Sequence, residues 1–141
     1  MLPAAVVGAA PATMSSRTTV SARVLVLAGP GEAAQVRADR MLEGDPKPRM
    51  WNGYTDVTGQ FFAGQWAAGA GRWRVVYEPH EEEFCVLLEG EVELTDAAGT
   101  VQRFGAGDAF VVPGGFEGEW RNLTPVRKHY AIMNLKEEPT P

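Results

Sequence analysis

Glu83 is the residue around which chemistry can be built. It lies in Glu82-Glu83-Phe84-Cys85-Val86-Leu87-Leu88, where strand alternation puts Glu83, Cys85 and Leu87 on one face and Phe84, Val86 and Leu88 on the other. A carboxylate on an apolar face costs free energy to desolvate unless a cation or donors meet it. Left alone among aromatics, Glu83 has its pKa raised and can act as acid or base near neutral pH; compensated by Lys128, it becomes a buried ion pair. Both readings stand. Glu83 is the candidate catalytic residue, and Trp73, Tyr77, Phe110, Trp120, Lys128 and Tyr130 join it as the expected ligand-binding set. Aromatic walls with a few convergent polar groups suit a small organic ligand. Each aromatic taken singly is most simply a core residue, so only convergence on Glu83 makes a site.

Cys85 shares the face of Glu83, and a thiol next to negative charge does not ionise readily, so it reads as an inert barrel-filling residue. The other candidate ligands are weak. His80, flanked by Pro79 and Glu81 in a turn, reads as a loop residue, and His129 as a hydrogen-bonded strand histidine. Glu89, Glu91 and Glu93 form a solvated hairpin face.

The elements that must position these residues are strands. Phe61–Trp66, Arg72–Glu78, Glu82–Leu88, Glu91–Thr95, Thr100–Phe104, Ala109–Val112, Phe116–Trp120 and Arg127–Met133 recur every eight to twelve residues with turn signals between them, as in an all-β sandwich or barrel. Asp96-Ala97-Ala98-Gly99 predicts a type I turn with Gly99 at positive φ, joining two of them as a hairpin. Upstream, Val24–Leu27 predicts a first strand closed by Ala28-Gly29-Pro30-Gly31. Glu32–Glu43 predicts a short helix ended by Gly44-Asp45-Pro46, the alternative being an irregular arm. The two apolar faces of Glu82–Leu88 require one layer inside and another outside. A homodimer is therefore expected, with Val24–Leu27 as an edge element able to pair across it.

Composition bounds the rest. The chain has 141 residues, 45% of them apolar, which makes one domain with a real core. A net charge of −5 with scattered basic residues excludes nucleic acid as a partner. The single cysteine excludes an internal disulfide and fits a reducing compartment, hence a cytoplasmic location. No segment has the length of a membrane-spanning helix. Residues 1–22, with no basic residue before Arg17, read as a disordered leader or as sequence upstream of a start at Met14 rather than a secretory signal. The domain is expected over 23–135, with a flexible tail at 136–141.

The blocks Glu83-Phe84-Cys85-Val86-Leu87-Leu88-Glu89-Gly90-Glu91, Gly107-Asp108-Ala109-Phe110-Val111-Val112-Pro113-x-Gly115-Phe116-x-Gly118-x-Trp120 and Val126-Arg127-Lys128-x-Tyr130 resemble the cupins, and within them the branch of the (S)-ureidoglycine aminohydrolase cupin domain. The resemblance implies a double-stranded β-helix, a jelly-roll-like barrel. It also implies a metal site of three histidines and one glutamate, and only the glutamate position, Glu83, is filled. The paired histidine positions fall at Val76 and Glu78, or at Tyr77 and Pro79, and the second-motif position falls at Gly118. One carboxylate is a poor site for a transition metal, so no cofactor is expected; were a divalent metal bound, Glu83 with His80 would hold it. The expected function is metal-independent binding of a small metabolite. The alternatives are a metal-dependent aminohydrolase-like or isomerase-like enzyme acting on a ureido or amide compound, as the resemblance implies, and a ligand-free structural dimer.

Overall fold

A computed structural model describes residues 23–137; the leader expected over 1–22 and most of the expected tail lie outside the described residues. Strands dominate. They are β1 (Glu32–Ala33), β2 (Met41–Glu43), β3 (Arg49–Thr55), β4 (Phe61–Ala68), β5 (Gly71–Val76), β6 (Glu81–Glu89), β7 (Glu91–Asp96), β8 (Val101–Gly105), β9 (Ala109–Val112), β10 (Glu117–Asn122) and β11 (Val126–Asn134).

They form a six-stranded sheet ordered β1-β3-β4-β11-β6-β9 and a five-stranded sheet ordered β2-β5-β10-β7-β8, with every pairing antiparallel. This is the all-β barrel that the strand spacing predicts and the double-stranded β-helix that the cupin resemblance implies. The core lies between the sheets, where alternate residues point inward: Trp66 from β4, Trp73 and Val75 from β5, Cys85 and Leu87 from β6, Trp120 from β10, Tyr130 and Ile132 from β11. Residues of one parity on each strand fill the interior and the other parity faces out, the period-2 consequence of the pleat. The β7–β8 hairpin turns as expected. Asp96 Oδ1 accepts from the amides of Ala98 and Thr100 at 3.0 and 2.9 Å, and Gly99 takes φ +88°.

The N-terminal part differs from expectation. Val24–Leu27 forms no strand, and Glu32–Glu43 forms no α-helix: it contains β1, a single 3-10 turn over Ala38–Arg40, and β2. The helix-favouring composition is overridden because β1 pairs with β3 and β2 with β5, so this arm straddles the edges of both sheets and closes one side of the barrel. Ladder hydrogen bonds available at two sheet edges outweigh the few tenths of a kcal/mol per residue of helix propensity. Arg49 ties the arm down, donating to the Gly31 carbonyl at 2.6 Å. β3 was not foreseen, since Arg49-Met50-Trp51-Asn52-Gly53-Tyr54-Thr55 follows a proline-rich segment and carries a register shift between Asn52 and Tyr54 that blurs its alternation.

Candidate functional site

Glu83 and Lys128 meet because their strands are neighbours in the six-stranded sheet: β6 pairs with β11, and Lys128 lies opposite Leu87 while Tyr130 lies opposite Cys85. All point inward. Glu83 and Lys128 are both fully buried. Lys128 Nζ donates to Glu83 Oε2 at 2.8 Å, and the Tyr77 hydroxyl donates to Glu83 Oε1 at 2.6 Å. Both carboxylate oxygens are thereby engaged, the condition under which a buried charge is tolerated. The ammonium also lies 4.3 Å from the centre of the Trp120 ring and 4.9 Å from that of Trp66, an aromatic cradle that partly replaces its lost hydration.

The walls follow from the same pairing. Trp120 sits opposite Trp73, and Trp66 packs against both at centroid distances of 6.0 and 6.1 Å. Phe110, half-buried on β9, packs 6.0 Å from Trp120 and stacks on Phe104 at 4.2 Å. Tyr130 is buried, and its hydroxyl donates to Asn52 Oδ1 at 2.8 Å. The structure therefore brings Trp73, Tyr77, Glu83, Phe110, Trp120, Lys128 and Tyr130 into one cluster.

Burial, reinforced by the Glu83 charge, pushes the pKa values of Tyr77 and Cys85 well above their ordinary values. Cys85 Sγ is thus a thiol rather than a thiolate, because burial and the Glu83 carboxylate outweigh the Lys128 ammonium 3.6 Å away. Glu81, one inward position before Glu83, accepts the Glu78 amide at 2.7 Å and has its pKa raised by burial.

Sequence reasoning missed Trp66, Asn52 and Glu81. Trp66 and Glu81 were legible in principle: Trp66 shares the inward parity of Phe62 on β4, and Glu81 that of Glu83 on β6. Asn52 was hidden with its strand.

His80 and His129 do not join the cluster. His80 occupies the turn before β6, and His129 points to the outer face, where its Nδ1 lies 3.5 Å from Gln65 Nε2. Among the described residues no group of three or more His, Cys, Asp or Glu is arranged to hold a metal ion. The second-motif position is closed sterically as well: a Cβ at Gly118 would fall 1.9 Å from the Thr95 carbonyl oxygen, because β10 and β7 pair tightly there. The residues present do not fit a cupin metal, and the Lys128 ammonium is the cation that faces Glu83.

Over residues 55–130 the chain matches the EutQ-like cupin domain, more than half of its length. The chain belongs to the EutQ-like cupin family. Solved structures similar to this cupin include the putative ethanolamine utilization protein Q of Salmonella typhimurium LT2 (TM-score 0.55, 23% identity, covering 62% of this chain and 69% of that one). Another is a DUF861-family protein of unknown function from Pseudomonas syringae pv. tomato DC3000 (TM-score 0.60, 25% identity, 79% of this chain and 45% of that one). EutQ of Clostridium difficile is similar in fold (TM-score 0.54, 11% identity, 64% and 65%). This cupin spans less than two thirds of the last two proteins. No curated protein matches it by sequence.

Proposed function

We propose that this cupin is a metal-independent module that binds a small metabolite rich in hydrogen-bond acceptors, such as a carboxylate or a ureido or amide carbonyl. The observation that carries the reading is the surplus of donors in the barrel. Lys128 gives one strong hydrogen bond, to Glu83, while its other protons face a sulfur and two ring faces. The buried indole N–H groups of Trp66 and Trp73 have no acceptor among the described residues. Buried donors are normally paired, so an interior with several to spare is matched by a ligand that brings acceptors. Tyr77 and Glu83 then orient the ammonium, and since Trp73, Trp120 and Tyr130 are at most 2% exposed, the ligand reaches the donors only when the barrel opens. The free, buried thiol of Cys85 favours a reducing compartment, and we place the protein in the cytoplasm on that ground. A role in nitrogen or amine catabolism is compatible with this ligand class.

A second reading rests on the hydrogen-bonded series Tyr77–Glu83–Lys128, which resembles an acid–base array. On this reading the protein is an enzyme on a ureido or amide compound, as in the (S)-ureidoglycine aminohydrolase branch, with Glu83 moving the proton.

Thermal-shift and calorimetric screening against ureido acids, amino acids and sugars, combined with elemental analysis, separates the readings. The expected result is stabilisation by an acceptor-bearing ureido acid, displaced indole N–H resonances in nitrogen-15 spectra, and loss of both effects in Lys128→Met. Turnover of the bound compound, abolished by Glu83→Gln, selects the enzyme. Stoichiometric metal lost on Glu83→Ala overturns the metal-free reading, and a protein that no compound stabilises is the ligand-free structural barrel.

A further inference from the structure

Between the arm at residues 33–41 and the segment 44–49 lies a groove of about 680 Å³, a volume inside the roughly 300–1,000 Å³ of small-molecule sites. Its walls are apolar, made by Ala34, Val36, Ala38, Met41, Pro46 and Pro48. Two cations line it as well, Lys47 and Arg49, against one carboxylate, Asp45. Among the described residues neither Lys47 nor Asp45 takes part in an ion pair. Arg49 is held by the Pro30 and Gly31 carbonyls and meets no carboxylate. Apolar walls with an excess of unpaired positive charge are complementary to an amphipathic anion. We propose that the groove is a ligand site separate from the barrel interior, and that it takes a small carboxylic acid with an apolar body.

The backbone at Lys47 supports this occupant. Lys47 has φ +44°, the one positive φ outside glycine among the described residues, in a region that costs a lysine free energy and that glycine enters freely. Pro46 and Pro48 on either side are buried while Lys47 is exposed. Folding alone favours glycine at that position, and strain of this kind gathers where a side chain has a task. The task here is to hold an ammonium beside the groove. The groove is also preformed: the Ala34 amide donates to the Pro48 carbonyl at 2.8 Å and joins its two sides, and the Gly69 amide donates to the Pro46 carbonyl at 2.7 Å and fastens them to the barrel. An exposed ammonium is screened by water, so Lys47 orients the acid while the apolar walls supply most of the affinity.

Val36 and Met41 form the inner wall and pack on the core, with Met41 opposite Trp73 in the β2–β5 ladder. A bound acid therefore lies against the Met41 side chain.

Titration of the full chain with octanoate and with phenylacetate, followed by calorimetry and by the carbon-13 resonances of the methionine methyl groups, tests the proposal. Saturable binding should shift the Met41 resonance, assigned from Met41→Leu, and leave that of the exposed Met133 on β11 unmoved. Octanol and octylamine should bind more weakly than octanoate, by about threefold or more. Lys47→Gly should weaken octanoate binding about threefold to fivefold with a urea midpoint no lower than that of the wild type, a combination that a purely structural lysine would not give. Ala38 is exposed, so Ala38→Trp and, separately, Ala38→Glu should keep the fold and weaken binding about tenfold or more, the first by filling the groove and the second by opposing the carboxylate. Tyr77→Phe, inside the barrel, should leave it unchanged. No saturable binding of either acid below about 10 mM, equal binding of octanoate and octanol, or binding that both folded Ala38 variants retain overturns the proposal. So does octanoate binding that Tyr77→Phe abolishes and Ala38→Trp does not, because the acid then sits in the barrel.

Discussion

From the five-stranded sheet Arg72, Glu119 and Glu93 face outward and Trp73, Trp120 and Leu94 face in; from the six-stranded sheet Phe84, Val111 and Ala131 face outward and Glu83, Lys128 and Glu81 face in. The first arrangement is what folding alone asks of a barrel wall. Its outer charges settle into ion pairs such as Arg72 with Glu119 at 2.6 Å and Arg121 with Glu43 at 3.2 Å. The second arrangement departs from this at particular positions: an inner side otherwise lined by Trp66, Cys85, Leu87 and Ile132 takes in charged groups, and the outer side exposes apolar ones. A sheet that buries an ion pair and exposes aromatic and branched side chains accepts desolvation costs on one side and aggregation risk on the other. Neither departure is what the stability of the isolated chain asks for, and the ligand we propose for the barrel would account for the buried charges.

The sharpest way to break this comparison is to remove one half of the buried pair. Lys128→Met should destabilise the protein by about 3–5 kcal/mol by leaving Glu83 buried and unpaired, whereas Glu83→Gln with Lys128→Met should recover much of that loss. Urea unfolding measures both, and a single variant as stable as the wild type would remove the pair from the account.

Next in size is Gly118→His, which supplies the missing second-motif histidine. It should cost about 1–3 kcal/mol and confer no metal binding, since the side chain has no room beside Thr95 and must displace β7 or β10. Tight zinc or manganese binding by this variant would contradict the geometry.

On the conventional sheet, Arg72→Ala should cost no more than about 1 kcal/mol, because its partners Glu119 and Glu43 remain solvated. A loss as large as that from Lys128→Met would erase the contrast between the two sheets.

The smallest effect expected is at the turn between β3 and β4. The Thr58 hydroxyl and the amides of Phe61, Gln60 and Thr58 hold the Asp56 carboxyl well below the ordinary aspartate range. A depressed folded-state pKa contributes stability that is present above the unfolded value and is lost as pH falls through the folded one. Asp56→Asn should therefore flatten the acid limb of the stability profile and leave the neutral region nearly unchanged in its pH dependence. An unaltered acid limb would show that the turn contributes nothing there.

Much of this was legible in the chain. The period-2 alternation of Glu82–Leu88 fixes which of its residues share a face, and Trp73, Tyr77, Trp120, Lys128 and Tyr130, expected to converge on Glu83, lie buried in the same barrel interior. The Asp96–Gly99 hairpin was equally plain, because its side-chain and glycine chemistry is local. The arm was not. Glu32–Glu43 has helix-favouring residues, and only the two open sheet edges make it extended. Trp66 as a cradle for Lys128 was likewise invisible, since β4 and β11 are some sixty residues apart in sequence and become neighbours only through sheet order.

What the residues determined by themselves is therefore the run of strands from β4 onward and the parity of Glu82–Leu88, which depend on near-neighbour spacing; the cupin resemblance added that the metal positions hold no histidine. What the tertiary structure decided is which cation meets Glu83, that Gly118 is sterically shut, and that the apolar outer residues of β9, β6, β11, β4 and β3 align in one row. Those outcomes depend on the register between strands distant in the chain, a quantity set by the packing of all of them at once.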